Sequence, residues 1–147
     1  MKEYAESMTY DELWPYLEKV NYVHLATVEE GAPKVRMMAV TRYDKQMWVA
    51  TWSKWNKVRQ IKKDGRMEFS APFSYNDGLG CARGTGYATV ISDDKLRKKV
   101  AETISWFKDY WGTSDNEEYI LIRLDPEVIL LDHPTDKKKY TIHVEKD

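Results

Sequence analysis

Residues Met47-Trp48-Val49-Ala50-Thr51-Trp52-Ser53-Lys54-Trp55-Asn56-Lys57-Val58-Arg59-Gln60-Ile61 change period in the middle. Met47–Trp52 is apolar and rich in β-forming side chains, so it reads as a strand. Trp55, Val58 and Ile61 then recur every three residues, the spacing of one helix face, with Ser53 placed as N-cap and Asp64-Gly65 as the stop. Upstream, Lys34 to Arg42 alternates around Val35, Met37 and Ala39, and Tyr43–Gln46 turns the chain. Before it, Asn21–Val28 is a further strand, Glu29–Ala32 a turn, and Pro33 suits a strand start. Two hairpins in a row predict an antiparallel meander.

Working outward, Thr9 and Glu12 have capping-box spacing, and Leu13, Leu17 and Val20 share a face, predicting a helix from Tyr10 to Lys19. Pro15 inside it should kink it or delay its start. Downstream, Arg66–Ala71 reads as a strand ending before Pro72, and Ser74–Gly78 as a loop. Cys81–Ile91 is a long strand in which Gly84 and Gly86 suggest bulges or close backbone approach. Ser92 is placed to cap the longest helix, Asp93 to Tyr110, with Leu96, Val100, Ile104, Phe107 and Trp111 on one face and Gly112 as stop. Tyr119–Leu124, Val128–Leu131 and Tyr140–Val144 complete the strands. The sum is a mainly β, α+β domain spanning 1–147, built on a largely antiparallel sheet or small barrel.

Composition agrees with one globular domain: 147 residues, 42% hydrophobic and 32% charged. No apolar run exceeds four residues, too short for a membrane span. The N-terminal Met1–Glu6 stretch is polar, and Cys81 is the single cysteine, so a reduced cytoplasmic setting is expected. The formal net charge of −1 argues against a dedicated nucleic-acid binder, the basic Lys54–Arg66 stretch notwithstanding. Walker A, HExxH and Gly-x-Ser-x-Gly patterns are absent, the glycines around Gly80–Gly86 open no helix, and His24, His133 and His143 have no ligand spacing, so no metal is expected. Six Trp and ten Tyr leave two readings, a core padded with large rings or a surface that meets a flat ligand or another subunit.

One segment is physically odd. Lys54 and Lys57 fall at the start of the second helix, where backbone N–H groups already carry partial positive charge. Cations there are unfavourable unless an anion joins them. Thr51 and Ser53 hydroxyls, the helix amides and the Lys57 ammonium would suit a phosphate; a solvated basic face continuing through Arg59, Lys62 and Lys63 is the alternative. Pairing of the Lys34–Arg42 strand with Met47–Trp52 would bring Arg36 level with Trp52 and Ser53, completing a dianion site, with Met and Trp nearby for a planar ring.

From Val23 to about Ile91 the sequence resembles the pyridoxamine 5'-phosphate oxidase-like FMN-binding split barrels, especially their general stress protein branch. The likeness rests on His24–Thr27, Gly31–Met38, Trp48–Thr51, Lys57–Ile61, Arg66–Phe69 and Gly86–Val90, in order and spacing, and on Leu121–Pro126 near the end. It implies a split β-barrel with flanking helices, acting as a homodimer with FMN at the subunit interface. It also implies a first FMN-binding stretch opened by Arg36 and continuing through Met37, Met38 and Ala39 to Thr41. Ala50 and Thr51 match the second stretch. Asn56 and Lys57 match its basic pair, with Lys57 the phosphate lysine; Trp52 and Ser53 lie between. Cys81 falls where the oxidase has a flavin-contacting glutamine. Trp55 stands where many relatives have serine, so Ser53 is expected to take that role, and Asn56 replaces a usual arginine or small residue. The oxidase's Arg-x-His substrate element is missing around His143, which points away from pyridoxamine phosphate as substrate.

The function expected is an FMN oxidoreductase that accepts a hydride from a nicotinamide and passes electrons to a small acceptor. The alternatives are a non-catalytic flavin-binding or flavin-storage stress protein, or a haem or deazaflavin binder on the same barrel. No catalytic acid or base is named by the sequence.

Overall fold

The computed structural model describes residues 3–145; Met1 and Lys2, which open the polar N-terminal stretch, lie outside them. The elements in chain order are β1 (Glu6–Ser7), α1 (Tyr10–Leu17), β2 (Tyr22–Glu29), β3 (Ala32–Ala39), β4 (Thr41–Tyr43), β5 (Gln46–Trp52), α2 (Asn56–Lys63), β6 (Arg66–Tyr75), β7 (Gly78–Ile91), α3 (Asp94–Ala101), α4 (Phe107–Trp111), β8 (Tyr119–Asp132) and β9 (Lys139–His143). The protein is mainly β with flanking helices. Its strands follow the order β1-β9-β8-β7-β6-β2-β3, with β5 joining β4 to β8. The first half of β8 pairs with β5 and the second half with β9, while β7 runs along its other edge. That change of neighbour along one strand is where the barrel splits.

Three hairpins turn on the pairs Glu30-Gly31, Asp44-Lys45 and Asn76-Asp77, every one of these residues having positive φ. Such two-residue turns have a twist that matches the strands they join. The stretch Ser74–Gly78 is therefore a tight hairpin rather than a loop, and β6 continues through Pro72 to Tyr75. Proline is tolerated there because β6 pairs with β2 only as far as Ser70. The chain also breaks between β3 and β4, where the Val40 N–H donates to the Asn21 carbonyl at 3.0 Å. Consequently only β4 forms a hairpin with β5; β3 pairs with β2 at the end of the sheet, and the expected strand pairing beside Arg36 does not occur.

Helix α1 begins directly after its N-cap Thr9, which forms a capping box with Glu12, and runs through Pro15, ending at Leu17 instead of Lys19. The expected long helix is two. Asp93, not Ser92, caps α3, its carboxylate accepting from Leu96 N–H at 2.9 Å. Beyond Ala101 the Thr103 hydroxyl donates to the Val100 carbonyl at 2.6 Å, a local bond that competes with helix continuation. The break re-aims the chain so that Phe107 and Trp111 close on Tyr119, with ring centroids 4.7 and 5.4 Å away. Strand β8 is continuous where two strands were expected, Pro126 falling opposite Gly86 at a register shift. The two-residue β1, parallel to β9, is too short for any periodicity to reveal.

The main core joins Leu13 and Leu17 of α1 to Leu25, Phe69, Ile122, Leu124, Ile129, Leu131 and Ile142 of the barrel, and full burial of each such side chain contributes about 1.5–3 kcal/mol. A second cluster packs α3 and α4 on Trp48, Tyr119 and Leu121. A Cβ at Gly84 would lie 2.3 Å from the Phe69 ring, and one at Gly86 would lie 2.3 Å from the Asp125 carbonyl, so both glycines are close approaches. Among the described residues no helix is long and apolar enough to cross a membrane.

Candidate functional site

Strand β5 ends at Trp52, and the Trp55 N–H reaches back to the Trp52 carbonyl at 3.2 Å, a tight turn into α2. The N-cap of α2 is Trp55, which offers no side-chain acceptor. Ser53, the expected cap, instead donates its hydroxyl to Glu118 Oε2 at 2.6 Å. The opening amides of α2 are therefore left without a capping side chain. Of the two lysines read into this turn, only Lys57 lies in the helix; Lys54 precedes it.

Lys57 is 6% exposed. Its Nζ lies 3.2 Å from Thr51 Oγ1 and 4.2 Å from the centroid of the Trp55 ring. Among the described residues no carboxylate pairs with it. Burial, reinforced by the like charge of Arg36, lowers its ammonium from the usual 10.5 to about 8.

Arg36 reaches this place from β3. It pairs with Leu25 across the β2–β3 ladder, and strand alternation sends its side chain to the inner face. Nη1 donates to the Leu25 carbonyl at 3.2 Å and to Thr27 Oγ1 at 2.7 Å, and Nη2 donates to Gln60 Oε1 at 2.9 Å. The Thr27 hydroxyl donates to the same Gln60 oxygen at 2.6 Å, while Gln60 Nε2 donates to Glu29 Oε2 at 2.7 Å. Burial lowers the Arg36 guanidinium below its ordinary value. Glu29 is occupied by Arg59 at 2.6 Å, and hydrogen bonds from Arg59 and Gln60 hold its carboxyl below the usual range.

Arg36, Lys57, Gln60, Lys34, Asn56 and Glu29 line a cavity of about 500 Å³ together with Val35. A buried lysine and a half-buried arginine, neither with a carboxylate partner among the described residues, a hydroxyl and an uncapped helix start suit a doubly charged oxyanion.

The structure thus brings Arg36, Thr51, Asn56 and Lys57 together, although through Thr27 and Gln60 rather than through β3–β5 pairing. Met37 and Met38 point to opposite faces of β3: Met37 is exposed and Met38 packs against the main core. Ala39 is half-buried, Ala50 packs on the second cluster, and Trp52 stacks within it, 5.2 Å from Trp111 and 6.3 Å from Tyr110. Cys81 lies on β7, three strands from Arg36 in the order β7-β6-β2-β3, with its Sγ 3.4 Å from Ser70 Oγ. Within one chain it does not join the cationic cavity. Thr27 and Gln60 were not anticipated as site residues. Their signals were present: Gln60 follows Lys57 by three on the same helix face, and Thr27 continues the buried alternation of Val23 and Leu25.

Compared by sequence, the chain matches no family model and no curated protein. Compared by structure, it is similar to a protein of Clostridium acetobutylicum related to general stress protein 26 of the pyridoxinephosphate oxidase family, at 16% identity and TM-score 0.70, covering 92% of this chain and 94% of that one. A FAD-binding protein from Mesorhizobium loti is similar at 15% identity and TM-score 0.68, covering 84% and 92%. A heme binding protein from Mycobacterium smegmatis is similar at 14% identity and TM-score 0.75, covering 91% of this chain but 57% of that one. The fold of this chain is that of the pyridoxamine 5'-phosphate oxidase-like split barrels, the general stress protein 26 structures among them.

Proposed function

We propose that the protein binds FMN, with the phosphate ester in the Arg36–Lys57 cavity, and works as a cytoplasmic oxidoreductase between a reduced nicotinamide and a small acceptor. The observation that carries this reading is a pair of cations, buried Lys57 and half-buried Arg36, in one cavity whose lining carboxylate, Glu29, is taken by Arg59 and Gln60. An isolated buried ammonium is costly, and an oxyanion is the partner that relieves the cost. Lys57, Arg36 and the opening amides of α2 would hold the phosphate, with Asn56 and Thr51 at its margin. When bound, the flavin supplies the hydride and electron chemistry; this chain's residues fix it and exclude water. Pyridoxamine phosphate is not the proposed substrate, because no Arg-x-His element accompanies His143.

The proposal includes a homodimer with the flavin at the subunit interface, and Met37, Trp52 and Cys81 near its ring. The outer face of the β2–β3 hairpin supports it. Tyr22, Val35 and Met37 are 57, 70 and 62% exposed there, beside Ala26 and Ala39 and around the exposed His24, at the open end of the sheet. An apolar strip of that kind marks an association surface. Haem has less support from the histidines. His133 uses both ring nitrogens, Nδ1 accepting backbone N–H groups and Nε2 meeting the Tyr16 hydroxyl at 2.9 Å, while His24 and His143 stand on separate strands.

The visible spectrum of the purified protein, before and after reduced nicotinamide, tests the reading. A flavin spectrum that bleaches and is restored by an acceptor supports the oxidoreductase. Bound flavin that stays oxidised under excess nicotinamide supports a non-catalytic flavin protein, and a haem spectrum refutes both.

A further inference from the structure

We infer that Gln60 is a positioning residue that aims Arg36 and thereby sets the preference for a phosphorylated over an unphosphorylated flavin; this rests on the phosphate reading above. Gln60 is 5% exposed, and each of its amide atoms is engaged. Its Oε1 faces only donors, Thr27 at 2.6 Å and Arg36 at 2.9 Å, while its Nε2 faces only the Glu29 carboxylate at 2.7 Å. The amide can therefore sit one way round. Because Arg59 ties down Glu29 at 2.6 Å, the order Arg59–Glu29–Gln60–Arg36 runs from the surface to the half-buried guanidinium.

The consequence lies in the donors that remain. Nη1 has both its N–H groups engaged, by Leu25 and Thr27, and Nη2 has one engaged by Gln60. Among the described residues Nε–H and the second Nη2–H have no partner, and in a planar guanidinium these two lie side by side. That edge is the fork that grips a phosphate through two parallel bonds. Leucine at position 60 would remove the acceptor on Nη2 and the acceptor of the Thr27 hydroxyl proton, leaving the guanidinium held through Nη1 alone. Helix α2 therefore supplies both the lysine for the anion and, one turn later, the amide that directs the arginine.

The test uses the full chain as wild type, Gln60→Leu, Arg36→Ala and the double variant, titrated separately with FMN and riboflavin. The flavin-free proteins are also compared by nitrogen NMR of the arginine side chains. Gln60→Leu is expected to weaken FMN about tenfold, the scale of one charge-assisted hydrogen bond, and to leave riboflavin unchanged. In the Arg36→Ala background the same substitution should add nothing, since its effect passes through Arg36. The Arg36 Nη signals should be separate in wild type and averaged in Gln60→Leu. Averaged signals in wild type, an equal loss of riboflavin binding, or a further FMN loss in the double variant would overturn the inference. Wild type that holds Arg36 rigid yet binds FMN no better than riboflavin would support the positioning and refute the flavin-phosphate reading alone.

Discussion

Replacing Lys57 by methionine separates the cost of an ammonium to the fold from its value to the ligand. Methionine keeps most of the length and the apolar stem of the side chain and removes the ammonium, with its bond to Thr51 and its contact over the Trp55 ring. In the folded protein the ammonium drops from 10.5 to about 8, burial being the larger cause and Arg36 the smaller. At about 1.4 kcal/mol per unit, that displacement is a folding cost on the order of 3 kcal/mol at pH 7. The folded state holds this proton less tightly than the unfolded state, so the cost is complete below about pH 8 and disappears as the pH rises toward 10.5. Lys57→Met should therefore be more stable than wild type without flavin at pH 7, with the gap closing toward pH 10.5, as read by urea unfolding at several pH values. FMN affinity should fall about ten- to a hundredfold, the loss of a charge-assisted hydrogen bond of about 1.5–3 kcal/mol, and riboflavin affinity should not change. Wild-type FMN affinity should decline as pH rises through about 8, where Lys57 loses its proton, and the variant should lack that limb. A flavin-free variant less stable than wild type at pH 7, or FMN affinities equal within error, would refute the reasoning.

Met37→Glu places a charge on the exposed strip of β3 and should shift the protein to monomer in sedimentation, while changing its unfolding free energy by less than about 0.5 kcal/mol. Cys81→Ser should alter the bound flavin's spectrum or potential if the thiol meets the ring; no change in either removes Cys81 from the site. Gly84→Ala forces a Cβ to within 2.3 Å of the fully buried Phe69 ring, and chemical denaturation should show a loss of about 1–3 kcal/mol.

The order of strands and helices was legible because most segments are amphipathic with a single period. β2 and β6 alternate, and α2 carries Val58 and Ile61 on its buried face. What the sequence hid was governed by single local contacts. Ser53 looks like a cap, yet Glu118 takes its hydroxyl from across the β5–β8 pair. An unbroken apolar face from Leu96 to Trp111 concealed a helix break, since the interruption moves Phe107 and Trp111 toward Tyr119 without exposing them. Arg36 and Lys57 could be singled out by charge and by family likeness, whereas the route joining them could not. That route runs through a buried threonine and a buried glutamine, residue types that local pattern rules treat as neutral.

The most direct measurement is calorimetric titration of the flavin-free wild-type protein with FMN and with riboflavin at pH 7. Because the carboxylate lining the cavity, Glu29, is taken by Arg59 and Gln60 rather than by Arg36 or Lys57, FMN is predicted to bind at least about a hundredfold more tightly, the worth of two charge-assisted bonds at the low end of their range. Equal affinities for the two flavins, or no binding of either, would contradict the assignment of this cavity to a flavin phosphate.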